Sequence, residues 1–336
     1  MTARIAINGF GRIGRAAYKI ALEKPDVEIV AINDLTDPKI LAHLLKYDTA
    51  YGKFQKEITL EESTLVVGDQ RTKVFAEKDP TLLPWKDLNV DVVLECTGRF
   101  TKDDAALAHI KAGAKKVIVS APTKGGNTQT FLLGVNDDQY LGQNLISNAS
   151  CTTNCISPVA AVIHNHFKIL KSAMTTVHAI TAEQNLVDGP PPPMHPDLRR
   201  ARAAGYNMVP TTTGAAKATT EVIPELKGLF DGISIRVPII TGSLSDITML
   251  VSKKTSVDEV NQVLTEASKL PKYSNVMAVS HEPLVSSDII GTPYSAIVDL
   301  EMTKVVDGDL VKILAWYDNE WGYSNRLVEM AIMVAS

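Results

Sequence analysis

Arg4-Ile5-Ala6-Ile7-Asn8-Gly9-Phe10-Gly11-Arg12-Ile13-Gly14 reads as a short apolar strand running straight into a Gly-x-Gly-x-x-Gly turn, and residues 15–24 continue at helical spacing. In such a turn the first glycine permits the tight bend and the second lets backbone approach a pyrophosphate. The third lets the helix pack closely on the strand, with the phosphates resting on the helix N-terminus. Three glycines alone are weak support; the context strengthens them. A second apolar strand over 27–33 ends at Asp34, about 20 residues beyond the turn, where a carboxylate accepts hydrogen bonds from an adenosine ribose and repels a ribose phosphate. Gly9, Gly11, Arg12, Ile13 and Gly14 are thus the expected cofactor turn, Asp34 its ribose acceptor, and NAD rather than NADP its ligand.

Outward from this unit, strands and helices alternate up to residue 150, with a strand at 90–95, a helix at 102–112 and a strand at 116–120. That order predicts a doubly wound parallel sheet. Thr97, Gly98 and Ser120 fall at carboxyl ends of its strands, where cofactors bind in such sheets. Beyond residue 150 the pattern changes to longer strands at 174–181, 233–237 and 243–251 with helices at 214–223 and 257–268. The expected fold is α/β: a Rossmann-like domain over 1–150, an α+β catalytic domain with a mainly antiparallel sheet over 151–315, and a C-terminal helix in 316–336. The run Gly189-Pro190-Pro191-Pro192-Pro193-Met194-His195-Pro196 reads as a stiff polyproline-like loop.

Composition sets limits. A chain of 336 residues exceeds the usual range of a single core, 45% of it is hydrophobic, and no apolar run is long enough to cross a bilayer. No charged-then-apolar leader is expected, since the first strand begins at once. Three cysteines fit a reducing cytoplasm, and a net charge of -4 offers no bulk attraction to nucleic acid.

The nucleophile candidate lies in Ser147-Asn148-Ala149-Ser150-Cys151-Thr152-Thr153-Asn154-Cys155. The polar run before Cys151 starts a helix whose apolar body covers 155–170, so the thiol sits over unpaired N–H groups that favour thiolate and can hold an oxyanion. Cys155, one turn on, reads as a buried helix residue; no second cysteine pair or suitably spaced histidine makes a metal site with it. His178, on the strand-like run 174–181, is the candidate proton shuttle, because a strand that follows the helix returns toward its start. On spacing alone the better reading of a single strand histidine is a satisfied core residue. Arg199-Arg200-Ala201-Arg202 and Arg236 supply guanidiniums for a phosphorylated substrate. Thr211-Thr212-Thr213-Gly214, at a helix start, supplies a second anion site.

The glycine turn, the Ser147 to Cys155 run, Thr175-Thr176-Val177-His178-Ala179, Thr213-Gly214-Ala215-Ala216-Lys217 and Trp316-Tyr317-Asp318-Asn319-Glu320-Trp321-Gly322-Tyr323-Ser324 together resemble the signatures of the glyceraldehyde-3-phosphate dehydrogenase family, in family order and along essentially the whole chain. The resemblance implies that Cys151 attacks the aldehyde of glyceraldehyde 3-phosphate and His178 takes the proton as hydride leaves. Inorganic phosphate then cleaves the thioester. It assigns Thr181, Arg236 and a shared Arg200 to the substrate phosphate, and Ser150, Thr152, Thr213 and Gly214 to the attacking phosphate. Asn319 and Tyr323 go to the nicotinamide. It also implies a homotetramer and a C-terminal helix that returns to the first domain. The alternatives are a sister dehydrogenase acting on erythrose 4-phosphate and, in another class, a non-catalytic protein binding nucleotide or RNA.

Overall fold

Strand residues apolar on both faces belong in the middle of a covered parallel sheet. The computed structural model, which describes residues 2–191 and 196–336, puts Ala3–Asn8 there, with Ile5, Ala6 and Ile7 fully buried between Val27–Asn33 and Val92–Glu95, parallel to both. Residues 192–195, most of the expected polyproline run, lie outside the described residues. The nine-stranded sheet runs Gln129–Thr130, Leu145–Ser147, Lys116–Val119, Val92–Glu95, Ala3–Asn8, Val27–Asn33, Gln70–Phe75, Thr64–Val67, Ile58–Glu61. Every pairing up to Gln70–Phe75 is parallel; the last two are antiparallel.

The expected helix at 102–112 is shortened to Leu107–Lys111. Asp103 and Asp104 take left-handed φ values of 51° and 55°. The Asp104 carboxylate accepts hydrogen bonds from the N–H groups of Asn127 (2.8 Å) and Thr128 (3.0 Å), so it stabilises a turn at the expense of a helix.

The chain divides into two compact units. One comprises Met1–Leu132, Asp137–Ser150 and Ser324–Ser336, the other Leu133–Asn136 and Cys151–Tyr323. The division anticipated at 315/316 falls inside the strand Leu310–Tyr317, and the final helix, Trp321–Ala335, starts in the second unit and continues in the first. The second unit holds a seven-stranded sheet in the order Val209–Thr212, Phe230–Val237, Ile169–Ala179, Ser243–Val251, Leu310–Tyr317, Ala296–Val306, Met277–Ser280. Four of its six pairings are antiparallel, as the alternating burial along Ser243–Val251 requires. The helix Cys151–Phe167 buries Cys155, Ile156, Val159, Ala160 and Ile163 completely. It ends where Lys168 turns left-handed (φ 57°) and releases the chain into Ile169–Ala179.

The three glycines of the opening turn serve separate ends. Gly9 has φ +93°, and a Cβ there would lie 2.7 Å from the Thr97 nitrogen; at Gly14 it would lie 2.2 Å from the Gly9 carbonyl oxygen. A Cβ on Gly11 meets no protein atom within 4 Å, so the room beside it is not needed for packing. Gly9→Ala and Gly14→Ala are therefore expected to destabilise the first unit by about 2 kcal/mol or more in thermal unfolding. Gly11→Ala should fold normally and lose dinucleotide affinity in calorimetry.

Candidate functional site

In the first unit a cavity of about 630 Å³ is lined by Gly9, Gly11, Asp34 and Thr97 at the carboxyl ends of the parallel strands, a size and place suited to a dinucleotide. Asp34 is oriented by two N–H groups: Oδ2 accepts from Phe10 (2.7 Å) and Oδ1 from Thr36 (2.9 Å), leaving each oxygen a lone pair for a ribose hydroxyl. Together with the open space at Gly11, these residues fit NAD. Gly98 takes φ 69°, and the Ile13 carbonyl accepts from Ser324 Oγ at 3.5 Å. Arg12 is turned to Asp48 (2.6 Å). Burial would raise the Asp48 carboxyl, but Arg12 and the N–H groups of Ala50 and Tyr51 hold it below the usual range. Ser120 bonds to the Cys96 thiol, which burial pushes up to about 12, so this cysteine is no second nucleophile.

Behind the cradle sits a buried charge that sequence reading overlooked. Glu95 is 1% exposed. Its carboxylate accepts hydrogen bonds from Asn8 Nδ2 (2.6 Å), from the Thr97 N–H (2.8 Å) and from the Thr97 hydroxyl. Trp85 Nε1 donates to His109 Nδ1 (3.0 Å), which assigns the ring proton to Nε2 and makes it a further donor to Glu95 (3.0 Å). With four donors a buried carboxylate is sustainable, and it locks Asn8, the residue before Gly9, to Thr97.

In the second unit Cys151 opens its helix and its Sγ lies 3.5 Å from His178 Nε2. His178 Nδ1–H donates to the Ala179 carbonyl (2.7 Å), which fixes the tautomer and leaves Nε2 for the sulfur. Burial opposes either charge formed alone. It raises the Cys151 thiol against the pull of Arg236 and Thr152, and it lowers His178 to about 3 with help from Arg236. The helix terminus by itself therefore does not deliver the thiolate expected from sequence. Proton transfer from Sγ to Nε2 creates both charges together at contact distance, the thiolate facing Arg236 and the imidazolium held by the Ala179 carbonyl. The direction favoured for the pair is thiolate–imidazolium.

Tyr317 fixes that contact. Its buried hydroxyl bonds to Thr152 Oγ1 on the helix and to Thr176 Oγ1 on the histidine strand, both at 2.8 Å. Burial raises its phenol, which stays protonated. In sequence Tyr317 is an inward residue of an alternating strand and carries no polar signal.

The residues expected to bind anions lie on and beside elements near the same strand. Arg236 Nη1 donates to Thr181 Oγ1 (2.7 Å) and to the Ala179 carbonyl (3.3 Å). Arg200 is buried and bonds through Nε to Thr211 Oγ1 (3.1 Å), whereas Arg199 is exposed beside Asp197 and Arg202 pairs with Asp188. Thr213 Oγ1 accepts from the Ala215 N–H (3.2 Å) at the start of Ala215–Val222, with Gly214 as N-cap. Asn319 is buried, its amide oxygen fixed by the hydroxyls of Ser243 (2.8 Å) and Thr241 (3.3 Å), and Tyr323 is buried in the first turn of the last helix. Ser150 is half-buried at the end of the first unit, directly before Cys151. Glu183, absent from the sequence reading, lies against buried Arg200 and half-buried Arg236.

Comparison with known proteins matches residues 3–103 to the family model for glyceraldehyde 3-phosphate dehydrogenase, NAD binding domain, and residues 150–319 to the one for the C-terminal domain. The chain is 51% identical to glyceraldehyde-3-phosphate dehydrogenase 2 of Streptomyces avermitilis, covering 100% of this chain and 99% of that protein. It is 52% identical to glyceraldehyde-3-phosphate dehydrogenase of Mycobacterium tuberculosis, covering 99% of each. Against glyceraldehyde-3-phosphate dehydrogenase 2 of Staphylococcus aureus the identity is 47%, over 100% of this chain and 97% of that protein.

The pairing of Cys151 with His178 has a pH signature. Alkylation of Cys151 by iodoacetamide should reach half its maximal rate below the ~8.5 of an ordinary thiol, and His178→Asn should move that midpoint upward by roughly a unit or more. A wild-type midpoint at or above the free-thiol value would mean that the neutral pair prevails. Tyr317→Phe strands two buried hydroxyls and is expected to cost about 1–3 kcal/mol for each in urea unfolding, and to slow the same alkylation.

Proposed function

The chain belongs to the glyceraldehyde-3-phosphate dehydrogenase family, and on that premise we propose how its own residues carry the reaction. It is a glycolytic NAD-dependent oxidoreductase, whose substrates by family are glyceraldehyde 3-phosphate and inorganic phosphate. Cys151 Sγ, as thiolate, adds to the aldehyde carbon while His178 gives its Nε2 proton to the carbonyl oxygen, forming a thiohemiacetal. His178 then takes the hydroxyl proton back as hydride leaves that carbon, and a thioester remains on Cys151. NAD, when bound in the first unit's cradle, supplies the hydride acceptor. Inorganic phosphate attacks the acyl carbon and its proton passes to solvent; the C–S bond breaks, and Cys151 departs as a thiolate already paired with His178. The oxidation is thus conserved in an acyl phosphate.

Thr181, Arg200 and Arg236 hold the substrate phosphate, and Ser150, Thr152, Thr213 and Gly214 receive the attacking phosphate. Gly9, Gly11, Arg12, Ile13 and Gly14 take the pyrophosphate, with Thr97, Gly98 and Ser120 bordering it. Asp34 takes the ribose, Asn319 the nicotinamide carboxamide, and Tyr323 packs beside it. The observation that carries this reading is the 3.5 Å contact between Cys151 and His178, on the strand whose end also holds the Thr181–Arg236 bond. A homotetramer in the cytoplasm completes the proposal. Leu186, Val187, Leu198, Tyr206 and Met208 are each more than 70% exposed in one segment, an apolar surface that assembly would cover. Among the described residues no helix is long and apolar enough to cross a membrane.

Reduced nicotinamide should accumulate continuously with glyceraldehyde 3-phosphate, NAD and inorganic phosphate, and stop at about one equivalent per site when phosphate is left out. Cys151→Ser should abolish both phases and retain NAD binding. Turnover that ignores phosphate, or prefers erythrose 4-phosphate, would overturn the assignment.

A further inference from the structure

Glu183 stands where a substrate phosphate has to go. Its Oε1 is 3.1 Å from Arg200 Nη1 and 3.8 Å from Arg236 Nη1. The Thr181 hydroxyl, which accepts from Arg236 at 2.7 Å, also bonds to the Glu183 side chain. Burial would raise this carboxyl, yet the Thr181 hydroxyl and the guanidiniums of Arg236 and Arg200 hold it below the usual carboxylate range, so it is an anion. One carboxylate therefore engages all three side chains that the reading above assigns to the substrate phosphate.

The charge arithmetic around it is unusual. Burial lowers Arg200, and the neighbouring Arg236 guanidinium lowers it further. Glu183 offsets one of the two positive charges, leaving a net of about one for a phosphate monoester that brings nearly two negative charges at neutral pH. The carboxylate is also less than ideally matched to its site. It reaches Arg236 only at 3.8 Å, and Arg236 Nε is buried with no hydrogen-bond partner among the described residues. That donor remains for a larger oxyanion with more acceptor oxygens.

We propose that Glu183 is an internal stand-in for the substrate phosphate, a specificity-determining residue that offsets one of the two arginine charges in the free protein and competes with the phosphate monoester for them. The inference rests on the assignment of Thr181, Arg200 and Arg236 to that phosphate. Glu183 bonds to the residues assigned to the phosphorylated end of the substrate and makes no hydrogen bond to Cys151 or His178, although its charge favours the protonated His178 from a distance. Its removal therefore changes how tightly the phosphate is held and separates phosphorylated from unphosphorylated aldehydes.

The test is calorimetric binding of glycerol 3-phosphate to the full-length protein and to its Glu183→Gln, Glu183→Asp and Arg236→Gln variants, with KM measured for glyceraldehyde 3-phosphate and for glyceraldehyde. Glu183→Gln keeps shape and loses charge. It should bind glycerol 3-phosphate on the order of tenfold more tightly and lower KM for the phosphorylated aldehyde alone. Glu183→Asp retains the charge and should stay near the parent. Unchanged or weaker binding by Glu183→Gln, with Arg236→Gln clearly weakened, overturns the inference and leaves the phosphate assignment standing. If Arg236→Gln binds as well as the parent, the phosphate assignment fails and the inference falls with it.

Discussion

The hydroxyl of Tyr317 is the constraint on which the chemistry of the second unit depends. A thiol and an imidazole carried by a helix and a strand have no reason of their own to meet; sequence separates them by 27 residues. Tyr317 bonds to the residue after Cys151 and to the residue two before His178, and so turns a contact between secondary structures into a contact between two named atoms. Because it is buried and neutral, it adds no charge to a place where charge is already hard to keep.

Polar groups wholly or partly withdrawn from water recur at both sites, and three of them have defined partners. Glu95 has Asn8, Thr97 and His109; Glu183 has Thr181 and two arginines; His178 has Cys151 and a backbone carbonyl. Such groups stabilise little in net terms, since desolvation offsets most of the attraction, but removing one partner leaves the other stranded. What they provide is position: the strand ends beside the glycine turn and the arginines near the histidine strand are held before any ligand arrives.

Much of this architecture is legible in the sequence because it rests on backbone demands. Gly9 and Gly14 have to be glycine on steric grounds, and a strand–turn–helix with an acid at its next strand end reads directly as a nucleotide fold. The Cys151 helix start and the shift to longer, alternating strands after residue 150 are equally local. What escaped reading is tertiary. Asp103 and Asp104 stop a helix because Asn127 and Thr128 happen to be near. Tyr317 looks like a core strand residue until its neighbours are known, and Glu183 looks like a solvated loop acid. Burial opposes the thiolate expected of Cys151 from its helix position, and the imidazole 3.5 Å from its sulfur is carried by another element.

The last helix carries a consequence for how the protein is made. Leu327, Val328, Met330 and Ala331 are fully buried, and Glu329 pairs with Lys24, just past the first unit's opening helix Arg12–Ala21. Residues 324–336 are thus part of the core of a unit whose strands all lie before residue 148. A ribosome emitting this chain delivers the nucleotide fold lacking one wall, then the whole of the second unit, then the missing piece. The first unit waits unfinished, with apolar surface uncovered, until residues 324–336 have been made.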